Sequence, residues 1–120
     1  IQTEEYIENL LNKLLSMGAK NVILTGVCFE EGKLGAACMG QDKVPHYYFE
    51  NRLEGVYHGT GDVFASALAG SLCRGKTLPQ AAAIAANYVV ESIKQTIDDK
   101  DHWYGVKFEK AIPYLIKKIY

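Results

Sequence analysis

Residues 58–62, His-Gly-Thr-Gly-Asp, lead directly into an apolar run over residues 63–70 and constrain this chain more than any other segment. Glycines at two of the five positions allow a sharp turn and a close approach of the backbone to a ligand. The amides that begin the following helix lack intrahelical partners and carry the positive end of its dipole. The segment is therefore a candidate anion site, with the Asp62 carboxylate beside it as a candidate general base.

A structural role accounts for the same residues. Thr60 or Asp62 can serve as the N-cap of the helix, and the aspartate can complement the helix dipole. A four-residue pattern has low specificity for a function. The motif alone therefore leaves both interpretations open.

Length and composition predict one small globular domain over residues 1–120. The apolar fraction of 48% and the charged fraction of 22% are typical of such domains. A formal net charge of -1 gives no electrostatic support for binding nucleic acid or an anionic membrane. We therefore expect neither a nucleic-acid nor a membrane partner.

The cysteines, Cys28, Cys38 and Cys73, are widely spaced and form no Cys-x-x-Cys pair. This usage is typical of a reducing compartment, where cysteines act as small apolar residues. No apolar stretch approaches the ~20 residues of a membrane span, and the amino terminus is acidic, unlike a secretory leader. We therefore expect a cytoplasmic protein.

Local signals in the first half predict one helix and three strands. Thr3 can cap a helix that runs to about Met17, and Gly18 can end it. Residues 21–26 form a short, continuously apolar strand of the kind buried in parallel sheets. Residues 33–39 and 44–49, separated by turn residues 40–42, predict an antiparallel hairpin.

The second half is predicted to be helical. A helix rich in small residues starts at Thr60 or Asp62 and runs to Cys73. Residues 77–80, Thr-Leu-Pro-Gln, form a capping box for a helix that continues to about residue 97. A last helix over residues 106–119 contains Pro113, which should bend or shorten it.

This order of elements resembles the carboxyl-terminal half of the ribokinase-like superfamily, over roughly residues 1–110. Residues 58–64 are most similar to the pyridoxal and pyridoxamine kinase branch. Sugar kinases of the superfamily more often carry Gly-Ala-Gly-Asp, and hydroxymethylpyrimidine kinases tend to carry cysteine at the position of Asp62. The resemblance implies an α/β fold: half of a three-layer α/β/α domain, with a mixed sheet, a hairpin and flanking helices.

The resemblance also implies ATP-dependent phosphorylation of the primary hydroxyl of pyridoxal, pyridoxine or pyridoxamine. Asp62 would contact the acceptor and take its proton as the hydroxyl attacks the γ-phosphate of ATP. The amides of Gly59, Thr60 and Gly61 would stabilise charge on the transferred group. Thr25, at the carboxyl end of its strand, would contact the nucleotide phosphates.

The partners that this resemblance implies are a small-molecule substrate, ATP and Mg²⁺, with a monovalent cation left open. Members of the superfamily are two to three times longer than this chain, and their amino-terminal half supplies the acceptor pocket and most Mg²⁺-organising acids. We therefore expect the chain, which begins at Ile1, to be an excised part of a kinase, inactive alone, whose full-length form is a homodimer. Hydroxymethylpyrimidine kinase activity and a noncatalytic nucleotide-binding or assembly domain remain alternatives.

Other sites are not supported by the sequence. A P-loop is absent, and residues 59–61 lack the third glycine of a dinucleotide fingerprint. His46, His58 and His102 are too dispersed to form a metal-ligand set. We therefore expect no metal-binding residues in this chain.

Overall fold

The computed structural model describes residues 1–52, 60–96 and 108–119, which belong to two compact units, Ile1–Arg52 and Leu53–Tyr120. The elements follow the chain order α1 (Glu4–Ser16), β1 (Val22–Val27), β2 (Lys33–Met39), β3 (His46–Asn51), α2 (Thr60–Cys73), α3 (Leu78–Thr96) and α4 (Phe108–Ile119). The α/β class, the hairpin and the flanking helices are as the sequence predicts. The interpretation of residues 1–120 as a single domain stays a prediction.

Helix α1 has the ends that its sequence predicts. The Thr3 hydroxyl accepts a hydrogen bond from the Tyr6 amide at 3.1 Å, which satisfies one unpaired donor of the first turn. At the other end Gly18 has φ +112°, and its amide donates to the Leu15 carbonyl at 3.1 Å. Because side chains rarely adopt this backbone conformation, glycine ends the helix here.

The three strands form one sheet in the order β1-β2-β3, and both pairings are antiparallel. The apolar run of β1 predicts a parallel neighbour, but no parallel pair occurs among the described strands. The run reports how strongly a strand is buried and does not report the direction of its partner. The apolar run therefore predicted that β1 is largely buried, but the prediction of a parallel partner strand was not confirmed.

Strand β3 begins at His46, two residues later than the predicted start at residue 44. Residues 44 and 45 follow the turn between β2 and β3 and do not join the strand. In this turn the Lys43 amide donates to the Gly40 carbonyl at 3.0 Å. The Val44 amide donates to the Asp42 carboxylate at 3.1 Å. Such an aspartate turn competes with the strand for the backbone amides and so delays its start.

The core of the first unit lies between α1 and one face of the sheet. Ile7 and Leu11 of α1 are buried, and Leu11 has no exposed surface. They belong to one apolar cluster with the inward side chains of β1 and β2, which are Val22, Val27, Ala37 and Met39. This packing follows from the helical spacing of the apolar residues in α1.

An aromatic group extends this core. The ring of Phe29 meets Tyr47 edge-on at 5.3 Å between centroids and Phe49 at 5.5 Å. The Tyr47 hydroxyl is buried and makes no hydrogen bond of ordinary geometry with a described residue, although the Glu8 carboxylate lies close enough to interact with it. Burial first, and then the carboxylates of Glu8 and Glu4, raise the pKa of this hydroxyl.

Gly35 of β2 lies against the backbone of the paired strand β3. A Cβ at this position would be 1.9 Å from the backbone oxygen of Tyr48 and 2.8 Å from a ring carbon of Phe49. The first atom belongs to the backbone of the paired strand, so a side-chain rotation cannot relieve the contact. Glycine is therefore required at this position by the pairing of β2 with β3.

The helices of the second unit are defined by local end signals. Helix α2 ends in a Schellman motif: the Gly75 amide donates to Leu72 at 3.0 Å and the Lys76 amide to Ser71 at 3.1 Å. Gly75 supplies the required positive φ of +87°. The predicted end of this helix at Cys73 is confirmed.

Helix α3 begins with the predicted capping box. The Thr77 amide donates to the Gln80 side chain at 3.0 Å, and the Gln80 amide donates to the Thr77 hydroxyl at 3.3 Å. Pro79 lies in the first turn, where backbone N–H groups have no intrahelical acceptor, so the N–H that proline lacks is not needed. These contacts agree with the reciprocal pairing that the motif predicts.

Helix α4 continues through Pro113 to Ile119, the last residue predicted for it, so the proline does not shorten the helix at this end. The buried Ala111 and Ile119 lie on either side of the proline and pack the helix into its unit. The Tyr88 hydroxyl of α3 donates to the Phe108 carbonyl of α4 at 2.7 Å. Tertiary contacts therefore compensate for the backbone hydrogen bond that proline removes.

Gly35→Ala should lower the free energy of unfolding by about 1–3 kcal/mol, because the added methyl forces β2 away from β3. Gly70→Ala is the matched control: its Cβ would meet only a methyl of Ile119 at 3.6 Å, an ordinary contact. In helix α2 that change should raise stability by about 0.5–1 kcal/mol. Urea denaturation followed by circular dichroism measures both, and equal effects of the two variants would contradict the assignment.

Tyr47→Phe should keep or raise stability near neutral pH by up to about 1 kcal/mol, because it removes a buried hydroxyl that makes no hydrogen bond of ordinary geometry. Tyr88→Phe should lower stability by about 1 kcal/mol, because it removes the bond to the Phe108 carbonyl. Urea denaturation at pH 7 compares the two variants. A loss of stability in Tyr47→Phe as large as that in Tyr88→Phe would contradict this account.

Stability should fall as the pH rises above about 10, the ordinary tyrosine pKa. Tyr47 keeps its proton in the folded state, where its pKa is raised, while the unfolded state releases it. The loss should be smaller in Tyr47→Phe than in the unsubstituted chain. Urea denaturation between pH 8 and about 11 measures this difference.

Candidate active site

The motif residues Thr60, Gly61 and Asp62 are the first three residues of α2. Gly59 and His58, which precede them in the chain, lie outside the described residues. Thr60 and Asp62 are therefore inside the helix, and the alternative that either one is the N-cap is wrong. Asp62 still complements the helix dipole from the first turn.

The Asp62 side chain is exposed to solvent. Within residues 1–52, 60–96 and 108–119, no hydrogen bond or ion pair holds its carboxylate. A carboxylate in this state can accept a proton from a ligand without first breaking a contact with the protein. Its position is thus compatible with the predicted role of general base.

Gly61 is also exposed, and nothing lies within 4 Å of the position that its Cβ would occupy. Its φ is not positive, unlike those of Gly18 and Gly75. The sharp turn expected from the motif is therefore not made at Gly61. What this glycine contributes is open space beside the first turn of the helix, where a ligand can approach the backbone.

Side-chain acceptors pair with the first amides of α1 and α3. The Thr3 hydroxyl caps α1, and the Thr77–Gln80 box caps α3. No described residue outside α2 supplies a comparable acceptor for the first amides of that helix. These donors and the helix dipole favour an anion at this end.

Thr25 lies near the end of β1 in the first unit and is exposed. It pairs with Ala36, and the next paired residue, Val27, lies opposite Gly35, so Gly26 is an extra residue in the strand. Gly26 has φ +72° and forms a β-bulge. The sequence analysis missed this bulge; the signal that could have found it is an isolated glycine in a strand pattern.

The cysteines do not resemble an activated nucleophile. Cys38 is buried, and burial, together with the charge of Asp42, raises the pKa of its thiol. The Cys28 thiol donates to the Glu30 carbonyl at 3.3 Å, and Cys73 is exposed at the end of α2. A raised pKa disfavours the thiolate, which is the reactive form of cysteine.

The described residues hold no group of three or more His, Cys, Asp or Glu side chains that could bind a metal ion. None of the helices in this part of the chain is both long enough and apolar enough to cross a membrane.

Comparisons with known proteins agree on one family. Residues 1–106 match the family model described as phosphomethylpyrimidine kinase. A putative phosphomethylpyrimidine kinase from Bacteroides thetaiotaomicron superposes with a TM-score of 0.89 at 29% identity, covering 97% of this chain and 41% of its own. An orthorhombic form of that protein, described as containing pyridoxal, gives 0.86 with 97% and 42% coverage at the same identity.

Pyridoxal kinase from Lactobacillus plantarum has a TM-score of 0.81 at 28% identity, covering 92% of this chain and 41% of its own. Pyridoxal kinase from Entamoeba histolytica has a TM-score of 0.79 at 18% identity, covering 97% of this chain and 41% of its own. At this identity the likeness supports the fold alone. A search of curated proteins found no match. The chain thus spans about two fifths of the length of these solved structures.

Gly61→Ala should weaken anion binding at the start of α2, because the added methyl occupies the open space beside the first-turn amides. The same change should raise the free energy of unfolding by up to about 1 kcal/mol, since alanine is the better helix former. Titration with inorganic tripolyphosphate measures binding, and urea denaturation measures stability. Unchanged affinity for tripolyphosphate in a stabilised variant would contradict the assignment of Gly61 to the site.

Proposed function

The chain belongs to the phosphomethylpyrimidine kinase family, and we propose that its full-length protein transfers the γ-phosphoryl group of ATP to the primary hydroxyl of a vitamin B6 vitamer. The observation that carries the proposal is the exposed Asp62 carboxylate in the first turn of α2. It stands beside backbone amides that no described residue outside the helix caps. A base and an anion site are the two parts that phosphoryl transfer to an alcohol requires from this segment.

Asp62 acts as the general base in this proposal. The acceptor hydroxyl gives its proton to the carboxylate as its oxygen attacks the γ-phosphorus of ATP, and ADP leaves with the electrons of the broken bond. Because the described structure leaves the carboxylate without a partner, it can approach the hydroxyl directly. Solvent exposure also lets the proton pass to water after the transfer.

The first-turn amides of α2 stabilise negative charge on the transferred group. In the transition state, negative charge is spread over the three equatorial oxygens of the phosphoryl group. Fixed N–H donors lower the energy of this transition state. Thr60 and Gly61 supply amides at the start of the helix, and Gly59 belongs to the proposal although it lies outside the described residues. The Thr25 hydroxyl is proposed to donate to the nucleotide phosphates.

ATP fits the character of these groups, which are N–H and O–H donors suited to phosphate oxygens. Mg²⁺, when bound to ATP, would neutralise part of the phosphate charge. The described residues hold no cluster of ligands for the metal, and by the resemblance most of its protein ligands are proposed to lie in the part of the protein that this chain does not span. A cytoplasmic location and a homodimeric full-length protein remain part of the proposal.

Vitamin B6 is favoured as acceptor by two observations. A relative described as a putative phosphomethylpyrimidine kinase has a crystal form described as containing pyridoxal. The chain also carries Asp62 where hydroxymethylpyrimidine kinases, by resemblance, tend to carry cysteine. The family description itself favours a second candidate, hydroxymethylpyrimidine kinase. An acceptor screen of the full-length protein with three B6 vitamers and hydroxymethylpyrimidine, with ADP release as readout, separates the two.

Asp62→Asn in the full-length protein should lower kcat by about 10²–10⁴-fold, because the amide cannot accept the proton. The affinity for ATP should change little, since the first-turn amides remain in place. Glu5→Gln is a matched control: it also removes an acid from the first turn of a helix, α1, and it should leave kcat unchanged. Steady-state kinetics with pyridoxal and ATP measure both variants.

A structural role for Asp62 predicts a different result. Loss of a favourable charge at the start of a helix costs about 0.3–1 kcal/mol of stability and changes the rate only a fewfold. A kcat of Asp62→Asn within a fewfold of the unsubstituted enzyme would therefore reject Asp62 as the base. Denaturation of Asp62→Asn and Glu5→Gln supplies the stability values for this comparison.

A further inference from the structure

We propose that helix α4 is a homodimer interface: its exposed apolar stripe, Phe108, Ile112 and Ile116, packs antiparallel against the same stripe of a second copy of the protein. The inference rests on the homodimeric full-length protein proposed above and gives that dimer a surface. It does not depend on the phosphoryl-transfer reaction. A second copy is the occupant because the charges beside the stripe complement one another across a two-fold axis.

The stripe is the main exposed apolar feature of the described residues. Its three side chains follow one another at intervals of four residues, so they lie along one side of α4. Their exposed fractions are 47% for Phe108, 37% for Ile112 and 48% for Ile116. Four of the ten large apolar side chains that are exposed in the described part of the chain belong to this one helix. A patch of this kind marks an interaction surface.

The stripe is left over after α4 has packed into its own unit. Ala111 and Ile119 are the buried residues of the helix, and they attach it to that unit. The match to the family model ends at residue 106, before α4 begins, so the family model does not define the sequence of this helix. The interface is therefore proposed for this chain and not for the family as a whole.

Antiparallel packing about a two-fold axis at Ile112 places Phe108 of one copy against Ile116 of the other. Glu109 and Lys117 are each one residue further along the helix than these two, so both lie on the same side of the stripe. The two-fold axis brings this side of one helix against the same side of the other. Glu109 of each copy then meets Lys117 of the other, at heights that differ by about 3 Å.

Both charged residues are available for this contact. Glu109 and Lys117 are exposed, and neither forms an ion pair with any residue in the described ranges. Parallel packing would instead bring Lys117 and Lys118 of the two copies together, where like charges repel. The charge pattern therefore selects the antiparallel arrangement.

The interface is small. Three apolar side chains per copy cover less than the ~800 Å² per partner that a standard interface buries, so we expect a dimer that dissociates on dilution in the micromolar range. The exposed ion pairs add little to its affinity, but they fix the register and the choice of partner.

Sedimentation equilibrium of the full-length protein across micromolar concentrations tests the interface. Ile112→Lys should raise the Kd of the dimer at least about tenfold, because it brings two like charges into the centre of the apolar contact. Tyr114→Lys is the matched control. Tyr114 is also exposed, at 44%, but it is two residues from Ile112 and so lies on the opposite side of the helix. This variant should leave the Kd unchanged, and urea denaturation should give both variants comparable stability.

A charge exchange tests the arrangement of the two helices. Glu109→Lys and Lys117→Glu should each weaken the homodimer about tenfold, since each variant places like charges together at both ends of the contact. An equimolar mixture of the two variants should dimerise again. In the mixed pair the introduced lysine faces the introduced glutamate, and the native Lys117 of one copy faces the native Glu109 of the other.

A full-length protein that stays monomeric across these concentrations would overturn the proposal. So would a Kd that Ile112→Lys leaves unchanged, an equal loss in Tyr114→Lys, or a mixture of the charge variants that stays monomeric. These measurements need no substrate, so the two proposals fail separately. A protein that dimerises through α4 but phosphorylates no acceptor rejects the reaction alone, and an active monomer rejects the interface alone.

Discussion

The pairing register of β2 with its two neighbours decides which side chains of the first unit enter the core. Ala37 lies opposite Leu24 on one side and Tyr47 on the other, and these residues face α1. A shift of one residue would move every one of these side chains to the opposite face. Gly35 limits such movement, because its backbone lies against the carbonyl of Tyr48 with no room for a Cβ.

The starts of the helices show how one physical requirement gives different outcomes. Every helix begins with amides that need acceptors. Thr3 and the Thr77–Gln80 box supply acceptors to α1 and α3, so these ends are structural. In α2 the first residues are exposed or half-buried, Asp62 has no partner within the described residues, and the family relationship gives that end a chemical role as a proposal.

Much of the local structure follows from local chemistry. The ends of α1, the bounds of β2, the Schellman end of α2 and the capping box of α3 agree with the sequence analysis, since each depends on residues within one or two turns. The start of β3 does not, because an aspartate turn outweighs the strand pattern there.

The sequence by itself determined the candidate base, Asp62, which depends on residue types at fixed spacing in one segment, and the family, which depends on that segment and on the order of elements around it. Only the tertiary structure decided that Gly26 is an extra residue in β1 and that Thr25 and Val27 therefore face opposite sides. A bulge exists only in relation to a paired strand, so no local pattern specifies it fully. In the same way, the requirement for glycine at position 35 arises from the backbone of β3 rather than from β2 itself.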